Sequence, residues 1–444
     1  MAALSFWTPW PLIQIWCEPS LFRDLLAGLS TRLTCNNRRT SVKVRPLVWV
    51  GIDVGKTTHH AFAMDTDGKV VFSQKVTNDQ AAIEHLVARA ARTASEVRWA
   101  VDLTSTAAAL LLAVLVTTGQ RVAYVPGRVV NRMTGVFRGE AKSDAKDARV
   151  IAETASMRTD LTELSTPDDL VVELTRLTAH REDLMADWVR GINRLRDLLT
   201  SIFPVLERAF DYSTRSALIF IAGFQTPEAI RAAGEGGLTR YLSDNGAWPK
   251  GIPSMVDKAL AAAATQTVRL PGEGTTAVLI KRLSRQLLDL DREIKDTDKL
   301  IKDRFRTHPQ AAIIESLPGL GPILGAEFVV ATSGDLAAFT TSGRLASYAG
   351  LVPVPQDSGR VTGNLRRPKR YNRKLRRVFY MAALSSIKSS GPSRTFYDKK
   401  RGERLIHTQA LLALARRLVD VLWALLRDGR TFTPTAPPPA TQAA

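Results

Sequence analysis

The chain has 444 residues, 45% of them hydrophobic, which is enough for two or three domains with their own cores and argues against a disordered or membrane-embedded protein. Sixty-one Lys and Arg face 43 Asp and Glu, a net charge of +18, and an excess of that size suits a polyanionic partner, nucleic acid above all. Two cysteines, Cys17 and Cys35, and six scattered histidines without HxxxH or HExxH spacing argue against a disulfide scaffold or a zinc-centred enzyme.

Residues 1–45 form an extension outside the periodic pattern that follows. Its start, Met1 to Cys17, is apolar but has no basic leader, is broken by Pro9 and Pro11, and is too short to span a bilayer. No membrane or targeting segment is expected. From Leu47, LVWVGIDVG reads as a buried strand ending in a turn, HHAFAMD as a second strand and KVVFSQKV as a third. Residues 78–93 have helical spacing, VRWAVD is a fourth strand, ALLLAVLVTT a buried helix and RVAYVP a fifth strand. Three successive strands, then strands alternating with helices, predict a mixed sheet with helices packed on it, over residues 46–160.

Residues 161–308 carry two long amphipathic helices, about 167–200 and 276–305, separated by an Ala/Gly-rich helical stretch. That pattern predicts an antiparallel coiled coil with an insert at its tip. Residues 309–430 are mostly helical and close on an apolar helix, Leu405 to Leu426. The tail, 431–444, is disordered by composition.

Five motifs could carry chemistry. GIDVGKT (51–57) is not a phosphate-binding loop, because three residues separate Gly51 from Gly55 where that loop needs four, and Asp53 would repel a phosphate. It reads better as an aspartate at the end of a central strand. Asp102 closes the strand VRWAVD just before Thr104 and Ser105, where it could also cap a helix. In KSDAKDA (142–148), Asp144 and Asp147 lie three apart on one helical face, although acids in a first turn also complement the helix dipole. Four clustered carboxylates are hard oxygen ligands suited to Mg²⁺ or Mn²⁺. LPGLGPI (317–323) is a glycine-rich turn between helices, open to two readings: backbone N–H groups presented to a phosphate, or tight packing. Finally DSGR (357–360) opens the densest basic stretch: Arg360, Arg366, Arg367, Lys369, Arg370, Arg373, Lys374, Arg376 and Arg377, without an acid among them. It reads as a phosphate-binding surface, and Ser358 beside it could attack a phosphodiester.

Together these segments resemble the DEDD transposases of bacterial insertion sequences, the family that also holds the Piv-type DNA invertases. GIDVGKTTHHAFAMD, VDLTS and KSDAKDARVIAE resemble its ribonuclease H-like (RuvC-like) domain. ESLPGLGPILGAEF, GRLASYAGLVPVPQDSGR and the run RRVFYMAALSSIKSSGPSRTFYDKKRGE resemble its C-terminal transposase domain. The resemblance implies an α/β plus α protein: a RuvC-like domain, long antiparallel helices and a mostly helical C-terminal domain. It implies a Mg²⁺-binding tetrad at Asp53, Asp102, Asp144 and Asp147, with Ser358 as the nucleophile that forms a phosphoserine link to DNA. It further implies element-end and target DNA as partners, a structured non-coding guide RNA, a homo-oligomer (dimer or tetramer) and a bacterial cytoplasmic location, on the nucleoid when acting. The second tetrad position is usually glutamate, and here Asp102 is one methylene shorter.

The favoured expectation is therefore a transposase or site-specific recombinase with metal-assisted strand exchange. A RuvC-like nuclease that uses water, and a non-catalytic nucleic-acid-binding protein, are the alternatives. Ser347 is the rival nucleophile to Ser358.

Overall fold

The computed structural model describes residues 45–103, 106–135, 143–164, 168–334, 336, 339–359 and 362–434. Residues 1–44 of the extension and the tail from 435 lie outside them. The chain divides into two units, Met1–Thr166 and Pro167–Ala444.

The N-terminal unit is built on a six-stranded mixed sheet of order β3-β2-β1-β4-β5-β6: β1 (Arg45–Asp53), β2 (Thr58–Asp65), β3 (Val70–Thr77), β4 (Ala94–Val101), β5 (Arg121–Tyr124) and β6 (Thr162–Leu164). β1 pairs antiparallel with β2 and parallel with β4, which in turn pairs parallel with β5. The three-residue β6 escapes a reading of the sequence, since so short a segment shows no period. The pleat alternates side chains between faces. Val48, Val50 and Ile52 of β1 pack with Ile83, Leu86 and Ala90 of α1 (Gln80–Ala91) and Leu111 and Leu115 of α2 (Ala109–Thr117). On the other face lie Trp49 of β1 and Phe62 and Met64 of β2, covered by Ala148 and Ala152 of α4 (Asp144–Met157). A smaller group, Ala100, Val125, Val150 and Ile151, joins α4 and α3 (Gly127–Thr134) to that face.

Gly51 explains how closely α4 approaches. A Cβ there would stand 2.3 Å from the Ala148 carbonyl oxygen and 2.4 Å from the Ala152 nitrogen, so only glycine lets the helix backbone rest on the central strand. The glycine that superficially suggested a phosphate loop is a packing requirement.

The C-terminal unit begins with α5 (Asp169–Ile202), which runs antiparallel to α10 (Glu273–Phe305). Glu173 pairs with Arg304 at 3.1 Å and His180 with Glu293 at 3.4 Å, and Leu287 fills the space beside Gly191. Between them, α6 (Pro204–Ala209), α7 (Arg215–Gly223), α8 (Pro227–Asp244) and α9 (Ile252–Thr265) bury their own core around Phe203, Leu206, Tyr212, Phe220 and Leu242. In the chain these four helices lie between α5 and α10.

The remaining elements are α11 (Ala311–Ser316), α12 (Pro322–Ala331), α13 (Ser342–Tyr348), the two-residue strands β7 (Val354–Pro355) and β8 (Leu365–Arg366), α14 (Arg373–Ser386), α15 (Pro392–Gly402) and α16 (His407–Asp428). Phe328, Phe379, Leu411, Leu418 and Leu422 form their core, which also takes in Leu174 of α5 and Ile301 and Phe305 of α10. The LPGLGPI turn docks here. Gly319 adopts φ +85°, and a Cβ on it would lie 2.1 Å from the carbonyl oxygen of Ala382 in α14. Of the two readings of that turn, packing accounts for Gly319. No described helix is long and apolar enough to cross a membrane.

Candidate active site

Three of the four expected carboxylates are placed by backbone geometry, and the fourth follows from helix periodicity. Asp53 is the last residue of β1, in register with His60 of β2. The parallel β1–β4 ladder ends on the pair Ile52 and Val101, so Asp53 and Asp102 continue two neighbouring strands at the same edge. Alternation assigns Asp53 to the face of Gly51 and Asp102 to the face of Ala100, the face that α4 covers. α4 starts at Asp144, capped by the Ser143 hydroxyl, which accepts the Lys146 N–H at 3.3 Å. Because Ala148 sits over Gly51, the turn before it carries Asp144 and Asp147 beyond the strand end towards Asp53 and Asp102. Thr104 and Ser105, the residues Asp102 might cap, lie outside the described residues.

The electrostatics agree with that placement. Burial pushes the Asp102 pKa up; the nearby backbone N–H groups of Asp102 itself and of Val54, next to Asp53, oppose the rise, and the charge of Asp147 adds to it. The Asp102 Oδ1 is buried without a hydrogen-bond partner. Asp144 acts from the other side, raising the pKa of His60 against the stronger lowering by burial. His60 Nε2 lies 2.8 Å from Ser73 Oγ, while Nδ1 is buried and unpartnered.

The donor set of four carboxylates fits a hard divalent cation, and an unsatisfied buried carboxylate oxygen is what such an ion relieves. Among the described residues, no three His, Cys, Asp or Glu side chains stand close enough to hold one ion together. Asp53 and Asp102 share one edge of the sheet, and Asp144 and Asp147 share the first turn of α4.

Ser358 belongs to the C-terminal unit. It is exposed at the tip of the β7–β8 hairpin, next to Gly359 at φ +57°. The tip is closed by the Asn364 N–H, which Asp357 Oδ1 accepts at 3.0 Å, and by the Gln356 N–H, which the Asn364 carbonyl accepts at 2.8 Å. Ser347 is exposed on α13.

The basic stretch proves to be two populations. Arg377 pairs with Glu327, which is only 6% exposed, and Lys374 pairs with Glu182 at 2.7 Å. Arg376 donates to the Gly350 carbonyl at 3.1 Å and lies over the Tyr371 ring, and Arg367 donates to the Tyr371 hydroxyl at 3.3 Å. That hydrogen bond, with the surrounding guanidinium charges, holds the Tyr371 phenol pKa down. Arg366, Lys369, Arg370 and Arg373 are exposed. Arg360 lies outside the described residues. Sequence reasoning treated the stretch as uniform because partners such as Glu182 and Glu327 are distant along the chain. It also missed His60 and Asn78, whose roles depend on strand register.

Comparison with known proteins supplies the class. A family model of DEDD transposases of the IS110 type, described as "Transposase", matches residues 50–204, and one described as "Transposase IS116/IS110/IS902 family" matches residues 311–398. The 44.8 kDa protein of insertion element IS116 from Streptomyces clavuligerus is 56% identical over 398 residues, 89% of this chain and 98% of that protein. The 42 kDa protein of insertion element IS900 from Mycobacterium paratuberculosis is 48% identical over 390 residues, 87% of this chain and 97% of its own. The 43.6 kDa protein of IS110 from Streptomyces coelicolor is 34% identical over 88% of this chain and 96% of its own. These similarities define an insertion-sequence transposase. The chain belongs to the IS116/IS110/IS902 family.

Proposed function

We propose that the chain cuts and rejoins DNA at the ends of its insertion sequence and at a target, through a ribonuclease H-like carboxylate site and a serine nucleophile. The observation that carries the reading is the pairing of Asp53 with Asp102. They stand where adjacent parallel strands end, the Val54 N–H lies near the Asp102 carboxylate, and the Asp102 Oδ1 is buried and unsatisfied near the charge of Asp147. The strand order β3-β2-β1-β4-β5, antiparallel then parallel, supports the ribonuclease H-like assignment.

Asp53, Asp102, Asp144 and Asp147 would hold Mg²⁺ or Mn²⁺. When bound, the ion supplies charge stabilisation for a phosphodiester in displacement. Asp102 reaches one methylene less far than glutamate, and it follows the strand beside that of Asp53. Ser358, exposed at a hairpin tip, would attack the phosphorus. Its ester forms as the bond to the departing sugar hydroxyl breaks, so the bond energy is retained for rejoining to another hydroxyl. Arg366, Lys369, Arg370 and Arg373 would hold the DNA or RNA backbone. The start of α14 supports this role: Arg373 is exposed at its first position, and the first turn carries no acid. That arrangement opposes the helix dipole and suits an external anion. A non-coding guide RNA and a homo-oligomer complete the reading.

The test uses purified protein with element-end DNA, Mg²⁺ and RNA transcribed from the element's flanks, resolved on a denaturing gel. A covalent protein–DNA adduct is expected in the wild type and absent in Ser358→Ala and Asp53→Asn. An adduct that survives in Ser358→Ala moves the nucleophile, to Ser347 first. Cleavage without adduct in the wild type identifies water as the nucleophile.

A further inference from the structure

Beyond the ladder pair Ile52 and Val101, the chain leaves the sheet in two loops. One carries Asp53 into Val54–Thr57, the other carries Asp102 into the short 3-10 turn Thr106–Ala108. The ladder brings the two aspartates side by side, and beyond it the contacts that join these loops hold them there. Asn78, at the end of β3, joins both. Its Nδ2 donates to the Lys56 carbonyl at 3.1 Å and to the Ala107 carbonyl at 3.4 Å, and its backbone N–H donates to the Thr57 carbonyl at 3.0 Å. Lys56 is three residues beyond Asp53 and Ala107 five beyond Asp102. Both side-chain partners are carbonyl oxygens, which fixes the amide's orientation, since only its NH₂ end can donate to them.

Helix capping does not explain this residue. The N-cap of α1 is Asp79, whose Oδ1 accepts the Ala82 N–H at 2.8 Å. The loop that Asn78 holds turns back closely on itself, since a Cβ at Gly55 would lie 2.1 Å from the Thr58 carbonyl oxygen. His59, 2% exposed, walls the other side. Asn78 lies near enough to oppose the lowering of that imidazole's pKa by burial, although Asn78 Oδ1 and both His59 ring nitrogens lack a partner at full hydrogen-bond geometry. The Val54 N–H also lies near the Asp102 carboxylate, but that approach uses a group that would also be called on as a ligand. The amide of Asn78 uses none.

We infer that Asn78 is a positioning residue of the carboxylate site, an amide clamp that sets the distance between Asp53 and Asp102 for a divalent cation without touching it. The inference rests on the carboxylate reading above. Outer groups that orient ligands typically change metal affinity 10- to 100-fold, on the order of a ligand's own orientation energy.

The experiment titrates Mn²⁺ alone into the full-length protein and follows loss of the free-ion EPR signal, for wild type, Asp53→Asn, Asn78→Ala and Gln120→Ala. Gln120 accepts the Trp99 indole N–H at 2.9 Å and donates to the Thr118 carbonyl at 3.1 Å, so its removal costs two polar contacts in the same unit without touching either loop. Asn78→Ala should weaken Mn²⁺ binding about 10- to 100-fold. Gln120→Ala should lower the melting temperature and leave the affinity at the wild-type value. Amide exchange should rise together in residues 54–58 and 106–109 of Asn78→Ala. Asn78→Gln, which keeps the NH₂ donors, should recover part of the affinity. If Asn78→Ala does not fold, Asn78→Ser, too short to reach both carbonyls, takes its place with the same expectation. Wild-type affinity in the Asn78 variants, with binding lost in Asp53→Asn, overturns the clamp alone. Unchanged binding in Asp53→Asn overturns the carboxylate reading itself.

Discussion

The substitution Gly51→Ala tests how the carboxylates are held together. The added methyl would stand 2.3 Å from Ala148 O and 2.4 Å from Ala152 N, where ordinary contact begins at 3.4 Å. Both neighbours are backbone atoms of α4 and have no rotamer with which to escape. Either the helix or the central strand must move by about 1 Å, with an overpacking cost of about 1–3 kcal/mol. Asp144 and Asp147 ride on the moving helix, and a misplacement of that size costs a catalytic constellation on the order of 100-fold. Urea unfolding followed by tryptophan fluorescence gives the stability, and the rate of element-end cleavage gives the activity. Gly68→Ala is the control. Gly68 has φ +77° and nothing within 4 Å of its would-be Cβ, so it should lose about 1 kcal/mol of backbone strain energy with cleavage unchanged. If Gly51→Ala matches the wild type in both assays, α4 does not rest on β1 as described, and the placement of Asp144 and Asp147 falls with it.

The basic stretch should divide by function. Arg370→Ala or Arg373→Ala should each reduce the salt dependence of DNA binding by about one charge at unchanged melting temperature. Arg377→Ala strands the carboxylate of Glu327 in the core and should instead cost about 1.5–3 kcal/mol of stability, read by chemical denaturation. Stability should also fall in mild acid. Burial holds the pKa of His308 below its ordinary 6.5, opposed by the charge of Asp168, and Nδ1 already accepts the Gln310 N–H at 3.2 Å. Between the folded value and 6.5 the unfolded chain binds the extra proton, so unfolding is favoured as pH drops below about 6.5. Urea midpoints measured downward from neutral pH should decline there, and the decline should be shallower in His308→Gln; equal slopes in both proteins would refute it.

Much of the architecture is legible along the chain because it arises from local periods. Alternating apolar residues mark β1 to β5, and three- and four-residue spacings mark α5 and α10. The Asp/Ser chemistry before KDARVIAE marks where α4 begins. The site is legible only as candidates: Asp53 at a strand end, Asp102 at another, Asp144 and Asp147 a turn apart. The sequence contains nothing that states which strand lies beside which, and a carboxylate's meaning changes with that neighbour.

Tertiary structure decided the rest. Parallel pairing of β1 with β4, across more than 40 residues of chain, set Asp102 beside Val54. The antiparallel register with β2 put His60 opposite Asp53. Folding also separated arginines that look alike in sequence, burying the partner of Arg377 and leaving Arg370 to solvent. It made Gly51 and Gly319 points where two backbones meet, which for Gly319 decides between the two readings of its turn. Local composition fixes what a segment can form, since propensity and period act within a few residues. Which oxygen remains unsatisfied and which cation remains unpaired depends on contacts between distant segments, and these exist only once the chain has packed.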